Sequence, residues 1–248
     1  MRLYKPYTKL ATVYDQVMDH VNYKEWAVYI DQLISTITGS TQKIIDLSCG
    51  TGSFLYCFVN KEVDGYGADL SPEMLRRAIQ KNNKNNVWFF VGSITEIPLK
   101  SASYDVALSL YDSINYLLTP DELAKAFIEV HRILKRNGLL IFDTITQLHC
   151  MEHHADFSES VYWENLGYER QSYFNSEKQL QISDFEIHQG DQKYYEHHIQ
   201  RVYEINFLKE CLMLNGFQCT LFDGFSMNRA TSKSKRVHFV CLRKELES

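Results

Sequence analysis

The chain has 248 residues, 45% of them apolar, which is enough to bury a substantial core in one α/β domain plus an insertion. A net charge of −5 and a pI near 6.0 exclude a nucleic-acid binder that relies on a basic surface. No eighteen-residue apolar stretch occurs, the first residues lack the apolar run of a signal peptide, and six cysteines fall singly with no C-x-x-C pair, so a cytoplasmic protein with no membrane partner is expected.

In chain order, residues 10–18 read as a short amphipathic helix. Asn22 then caps a second helix, with Glu25 at the capping-box position and Gly39 ending it. Tyr14 and Trp26 either pack these helices on a sheet or face a ligand, and the two readings weigh equally. Lys43 to Gly52, Lys-Ile-Ile-Asp-Leu-Ser-Cys-Gly-Thr-Gly, is a short apolar strand, an acidic residue and a small-residue turn running into a helix. The bare turn lets backbone approach a ligand closely. A dinucleotide fingerprint fails in both registers, because Ser53 and Leu55 stand where its third glycine belongs. A phosphate P-loop fails as well, since no lysine lies between Lys43 and Lys61.

The next strand, 63–70, carries Asp69 near its end, and a helix follows with Ser71 as N-cap and Pro72 at its first position. Asp46, Gly50 and Gly52, followed by Asp69-Leu70-Ser71-Pro72-Glu73-Met74, resemble the first two motifs of the class I S-adenosylmethionine-dependent methyltransferases, with Ser48 in place of the first glycine. The resemblance implies an α/β, Rossmann-like seven-stranded sheet and S-adenosyl-L-methionine as cofactor. It places Asp46, Ser48, Cys49, Gly50 and Gly52 on the cofactor turn and gives Asp69 the ribose hydroxyls. Leu70, Met74 and Ile94 are expected against adenine, and Ser93 stands where the family usually has an Asp for the adenine amine. The Val13-Tyr14-Asp15 wording is similar to the N-terminal lid of a subgroup that includes amino-sugar N-methyltransferases, which implies that Tyr14 reaches the methionyl end of the cofactor.

Strand three is 87–91, and strand four runs from Tyr104 to Leu110, a further cofactor-side position, delivering residues 111–117 at its carboxyl end. No Pro-Pro-Tyr occurs there, which argues against methylation of nucleic-acid bases. The Asp-Ser-Ile-Asn-Tyr-Leu run instead resembles small bacterial methyltransferases near the amino-sugar enzymes. Asn115 and Tyr116 either satisfy a turn or contact substrate. Thr119-Pro120-Asp121-Glu122 opens a helix to Lys135 that closes at Gly138, and 139–143 reads as a central buried strand. Alternation then breaks. Residues 144–203, with strands at 161–164, 179–187 and 194–203, read as an antiparallel β insertion capping the methyl-donor site, while 1–143 and 204–248 form the core with its helical lid. A helix at 204–215, strands at 217–223 and 236–243, and a solvated basic loop at 232–236 complete the chain.

Methyl transfer from a sulfonium is an in-line displacement in which positioning alone contributes about 7–11 kcal/mol. An ammonium acceptor must first lose a proton, and His197, His198 and Glu196 on a cap strand, with Tyr116 on the strand-four loop, are the candidates for that task. Adjacent strand residues point to opposite faces, so one histidine at most faces the site. His149, His153 and His154 with Cys150 place two metal-type ligands four apart on a helix, yet no third partner follows, and no metal is expected. The expectation is transfer to nitrogen of a small molecule by a monomer or homodimer. An oxygen acceptor and a non-catalytic cofactor-binding module stand as the alternatives.

Overall fold

The computed structural model describes residues 2–38, 41–82 and 84–245. Gly39, expected to end a helix, lies outside them. Two sheets organise the chain. The larger has seven strands in the order β11-β12-β6-β5-β2-β3-β4, with β2 (Lys43–Asp46), β3 (Asp64–Asp69), β4 (Val87–Val91), β5 (Tyr104–Ser109), β6 (Leu134–Ile145), β11 (Phe217–Asp223) and β12 (Arg236–Arg243). Neighbours among β2 to β6 run parallel; β12 is antiparallel to both β6 and β11.

Strand alternation sends side chains into a core on each face of this sheet. Ile44, Leu108 and Ile141 meet Ile30, Leu33 and Leu55 of α2 (Tyr23–Ser35) and α3 (Ser53–Phe58) on one side. Ile45, Leu140 and Phe142 meet Phe127, Val130 and Leu208 of α5 (Pro120–Ile133) and α7 (Ile205–Leu214) on the other. Fully buried runs of this kind suit parallel strands covered on both faces. At the amino end, the expected helix at 10–18 divides into a 3₁₀ turn at Leu10–Thr12 and a short α1 (Tyr14–Val17).

The helix expected to run to Lys135 and close at Gly138 ends instead at Ile133, and β6 begins at once with Leu134. Gly138 lies within that strand, where a Cβ would come within 2.9 Å of the Lys135 carbonyl and 3.1 Å of the Asp105 carbonyl. The glycine therefore serves close backbone approach beside the register shift opposite Tyr104 and Val106, a role that resembles a helix stop in sequence.

The smaller sheet has the order β1-β10-β9-β8-β7, built from β7 (Phe157–Tyr162), β8 (Leu166–Asn175), β9 (Leu180–Gln189) and β10 (Gln192–Arg201) in antiparallel succession. Two of its strands escape the sequence pattern. β8 puts Arg170 and Ser172 between Tyr168 and Phe174 on the face it shares with Ser183, so polar and apolar residues mix on one face and the alternation is blurred. β1 (Leu3–Tyr4) is two residues that pair in parallel with Tyr195 and Glu196 of β10. That pairing carries the amino terminus across the smaller sheet toward the ends of β2 and β3, followed by α1 and α2. The remaining helices are α4 (Pro72–Lys81) and α6 (Gln147–His153).

Candidate active site

The turn after β2 is organised by two carboxylates. Asp46 Oδ1 accepts the Ser48 N–H at 3.1 Å; Asp69, at the end of β3, accepts the Gly50 N–H at 2.8 Å and the Ser71 N–H at 2.8 Å. Gly50 and Gly52 hold φ of +54° and +76°, left-handed values that disfavour any side chain. Burial pushes the Asp46 carboxyl up to about 7 against the Ser48 hydrogen bond, and burial raises Asp69 as well. Two carboxyls whose charge burial disfavours, set in one crevice, suit a cationic or hydroxyl-bearing partner.

S-adenosylmethionine fits these groups. Leu70 is 73% exposed, an apolar side chain left in water beside the Asp69 carboxylate, a surface that a nucleoside ring and its hydroxyls would cover. Met74 and Tyr14 roof the turn: their nearest carbons lie 3.2 and 3.8 Å from the position of a Cβ at Gly50. Ser93 is engaged locally, its Oγ 2.8 Å from Thr95 Oγ1, and Ile94 is half-buried against the core. Cys49 and Leu110, expected on the cofactor side, turn their side chains into the core under the turn, and the Cys49 N–H donates to the Ala68 carbonyl.

The amino-terminal strap closes over this region. The Ser71 hydroxyl, which accepts the Met74 N–H as helix cap, donates to the Tyr7 carbonyl at 2.9 Å. Thr51 Oγ1 donates to Asp15, and Lys81 Nζ pairs with Asp15 at 2.9 Å.

From the strap a chain of polar contacts runs into the smaller sheet. Tyr7 Oη is 2.8 Å from Tyr116 Oη, which is 2.8 Å from His198 Nδ1; His198 Nε2 is 3.0 Å from Glu196 Oε2. Both strand residues are fully enclosed. Burial raises both phenols far above their ordinary range, so they stay protonated and act as hydrogen-bond relays. His197 points to the opposite face, where it pairs with Asp184 at 2.6 Å. It is withdrawn as a catalytic candidate, because strand alternation places its neighbour inward.

The strand-four loop is itself strained. Tyr111 and Asp112 adopt φ of +61° and +50°, held by Asp143, which accepts both of their N–H groups at 2.6 and 3.1 Å. Arg236 bridges Asp112, at 2.9 Å, and the wholly buried Asp143. The basic run at 232–236, expected to be a solvated loop, thus contributes a buried anchor through its last residue. Tyr7 and Arg236 were missed; the tyrosine-rich start was the only local hint of the first. Beside Tyr111 lies a cleft of about 670 Å³ walled by Trp26, Tyr29, Phe225 and Arg236. His149, His153 and His154 cluster on and after α6, with ring centroids 4.8 and 5.3 Å apart, and burial pushes His149 and His154 down to about 4.

Comparison with known proteins agrees with this geometry. A family model described as a methyltransferase domain matches residues 44–138. The putative methyltransferase YqeM of Bacillus subtilis is 30% identical over 239 residues, covering 94% of this chain and 95% of that protein. An S-adenosylmethionine-dependent methyltransferase from Clostridium acetobutylicum superposes with a TM-score of 0.81 at 22% identity, covering 96% and 98% of the two chains. CalS10, an amino pentose methyltransferase from Micromonospora echinaspora solved with S-adenosylmethionine bound, gives 0.74 at 17% identity, covering 94% and 97%. With its cofactor turn, second-strand carboxylate and near-complete alignment to YqeM, the chain belongs to the S-adenosylmethionine-dependent methyltransferases.

Proposed function

We propose that the protein transfers a methyl group to the nitrogen of a small-molecule amine, with the sheet of residues 157–201 as the cap over the acceptor. The observation that carries this reading is the hydroxyl–imidazole–carboxylate chain of Tyr116, His198 and Glu196, which links the strand-four loop to the cap. Asp69, Gly50 and Gly52 would hold the cofactor, with Tyr14 and Met74 over the turn. The bound cofactor supplies an electrophilic methyl group whose sulfur leaves without needing an acid.

The protein's own task is to seat the acceptor and remove its proton. With Nε2–H donated to Glu196, His198 Nδ1 is an acceptor and receives the hydrogen bond of the Tyr116 hydroxyl. A proton from an acceptor ammonium can then pass to the Tyr116 oxygen as its own proton moves to His198, leaving an imidazolium stabilised by Glu196. Positioned proton transfer of this kind contributes about 10²–10⁴-fold. KedS8, a sugar N-methyltransferase from Streptoalloteichus with the same fold, favours nitrogen. The net charge of −5 favours a small acceptor over a nucleic acid, and six free cysteines favour a reducing, cytoplasmic compartment.

The test is incubation of the purified protein with S-adenosylmethionine and separate pools of amines and alcohols, with products read by mass spectrometry. Methylated amines that decline on the order of 10²-fold in Tyr116→Phe are expected. Methylation of alcohols alone overturns the nitrogen assignment, and cofactor binding with no turnover on either pool overturns the enzymatic reading.

A further inference from the structure

Glu196 is a carboxylate with no solvent exposure, and it is saturated with donors from two directions. Its Oε1 accepts the Lys9 N–H and, at 3.0 Å, the Leu10 N–H; its Oε2 accepts the Tyr7 N–H at 2.7 Å and faces His198 Nε2 at 3.0 Å. Three of the four donors are backbone groups of the amino-terminal strap, some 190 residues away in sequence. Tyr7 also reaches the other end of the chain, through its hydroxyl on Tyr116, and sets its ring edge-on to the His198 imidazole, with centroids 4.9 Å apart. Its carbonyl is held by Ser71, two residues after the cofactor-side Asp69.

We propose that Glu196 is the positioning residue through which docking of residues 7–10 sets the tautomer and orientation of the His198 base. The proposal rests on the role given to His198 above and extends it to the strap. With the strap docked, Oε2 is shared between the Tyr7 N–H and the imidazole, so His198 presents Nε2–H to Glu196 and a bare Nδ1 to Tyr116. A lifted strap removes the Tyr7 contacts at the carboxylate, the phenol and the imidazole face together. It also strips three donors from a buried anion, which then re-forms its bonds with water or with His198 in another geometry. Because the strap is fastened at Ser71, closure beside the cofactor carboxylate and assembly of the proton relay become one event.

The full chain is tested in two variants. Lys9→Pro deletes one strap N–H and leaves every relay side chain in place. Glu196→Gln keeps the shape and turns one acceptor into a donor. Three readouts apply to each: ¹⁵N shifts of the His198 imidazole, hydrogen exchange of the peptide spanning residues 5–12, and kcat and KM for methyl transfer. Lys9→Pro is expected to speed strap exchange about tenfold, lower the Nε2–H tautomer fraction, and cut kcat about tenfold with the acceptor KM within about twofold. Glu196→Gln is expected to shift His198 toward the Nδ1–H tautomer and cut kcat on the order of 10²–10⁴-fold.

Faster strap exchange with an unchanged His198 tautomer and kcat overturns the proposal and leaves Glu196 a fastener. Unchanged exchange in both variants overturns it too. Should Lys9→Pro fail to fold, an unchanged His198 tautomer in Glu196→Gln is by itself refuting. If the unaltered protein methylates no amine, the base role above falls, while the tautomer and exchange readouts still judge the coupling.

Discussion

Asp46 offers a quantitative test of the crevice electrostatics. Its carboxyl is 3% exposed with an oxygen on the Ser48 N–H, and burial moves it from an ordinary 3.8 to about 7. A carboxyl raised on folding binds its proton more tightly in the native state, so its contribution to stability is fully present below about pH 4 and is lost as pH rises through about 7. At about 1.36 kcal/mol per pH unit, the loss across that window is about 4 kcal/mol. Asp69 is raised in the same direction, so the wild-type slope alone does not isolate Asp46. Asp46→Asn does: the amide oxygen still accepts the Ser48 N–H, and the titration disappears. Urea unfolding of the ligand-free protein between pH 5 and pH 7.5 is expected to show a stability decline at least about 2 kcal/mol steeper in wild type than in Asp46→Asn. Equal slopes in the two proteins would refute the claim that burial raises this carboxyl to about 7 on folding.

Three further outcomes follow from individual contacts. Gly52→Ala places a Cβ 3.0 Å from the Phe89 ring at φ +76°, and a loss of about 1–3 kcal/mol with S-adenosylhomocysteine binding weakened about tenfold or more is expected by calorimetry. Arg236→Met leaves the buried Asp143 without its cation and is expected to cost about 3–5 kcal/mol in urea unfolding, whereas a double variant with Asp143→Asn recovers much of it. Thr119→Ala removes the hydroxyl that accepts the Glu122 N–H in the capping box of α5, for a loss of about 1 kcal/mol and no change in cofactor affinity.

The parts of the fold that the sequence makes legible are those whose signal is local. The capping box at Thr119 and Glu122, the Ser71–Pro72 helix start and the apolar runs of β4 and β11 stand in the structure where the residues place them. Gly138 misled because one residue type serves both a helix stop and a close strand contact, and only the carbonyls opposite it tell the two apart. β8 was invisible because polar pairs interrupt the apolar residues of its inner face: between Tyr168 and Phe174, the Ser172 and Ser183 hydroxyls lie 2.7 Å apart, and Arg170 Nε donates to Ser172. A polar pair satisfied inside a sheet leaves the same mark on a sequence as a solvated loop.

The same distinction governs the candidate site. Asp46, Gly50 and Asp69 lie within one strand-turn-helix unit and the strand beside it, so their spacing survives in the sequence. Tyr7 and Tyr116 are 109 residues apart and Tyr116 and His198 are 82 apart, and no window contains them. The choice between His197 and His198 lies between these extremes. Alternation gives two faces without saying which is inward; the two-residue turn at Gly190 and Asp191, with Gly190 at φ +57°, supplies the missing term by pairing Gln189 with Gln192. From that register His197 falls opposite Asp184, and Glu196 opposite Phe185, so the apolar Phe185 and Ile187 of β9 drag Glu196 and His198 inward. A one-residue slip of β10 against β9 would exchange the two histidines, so the tight turn at Gly190 and Asp191 and the apolar residues of β9 together fix which imidazole meets Tyr116.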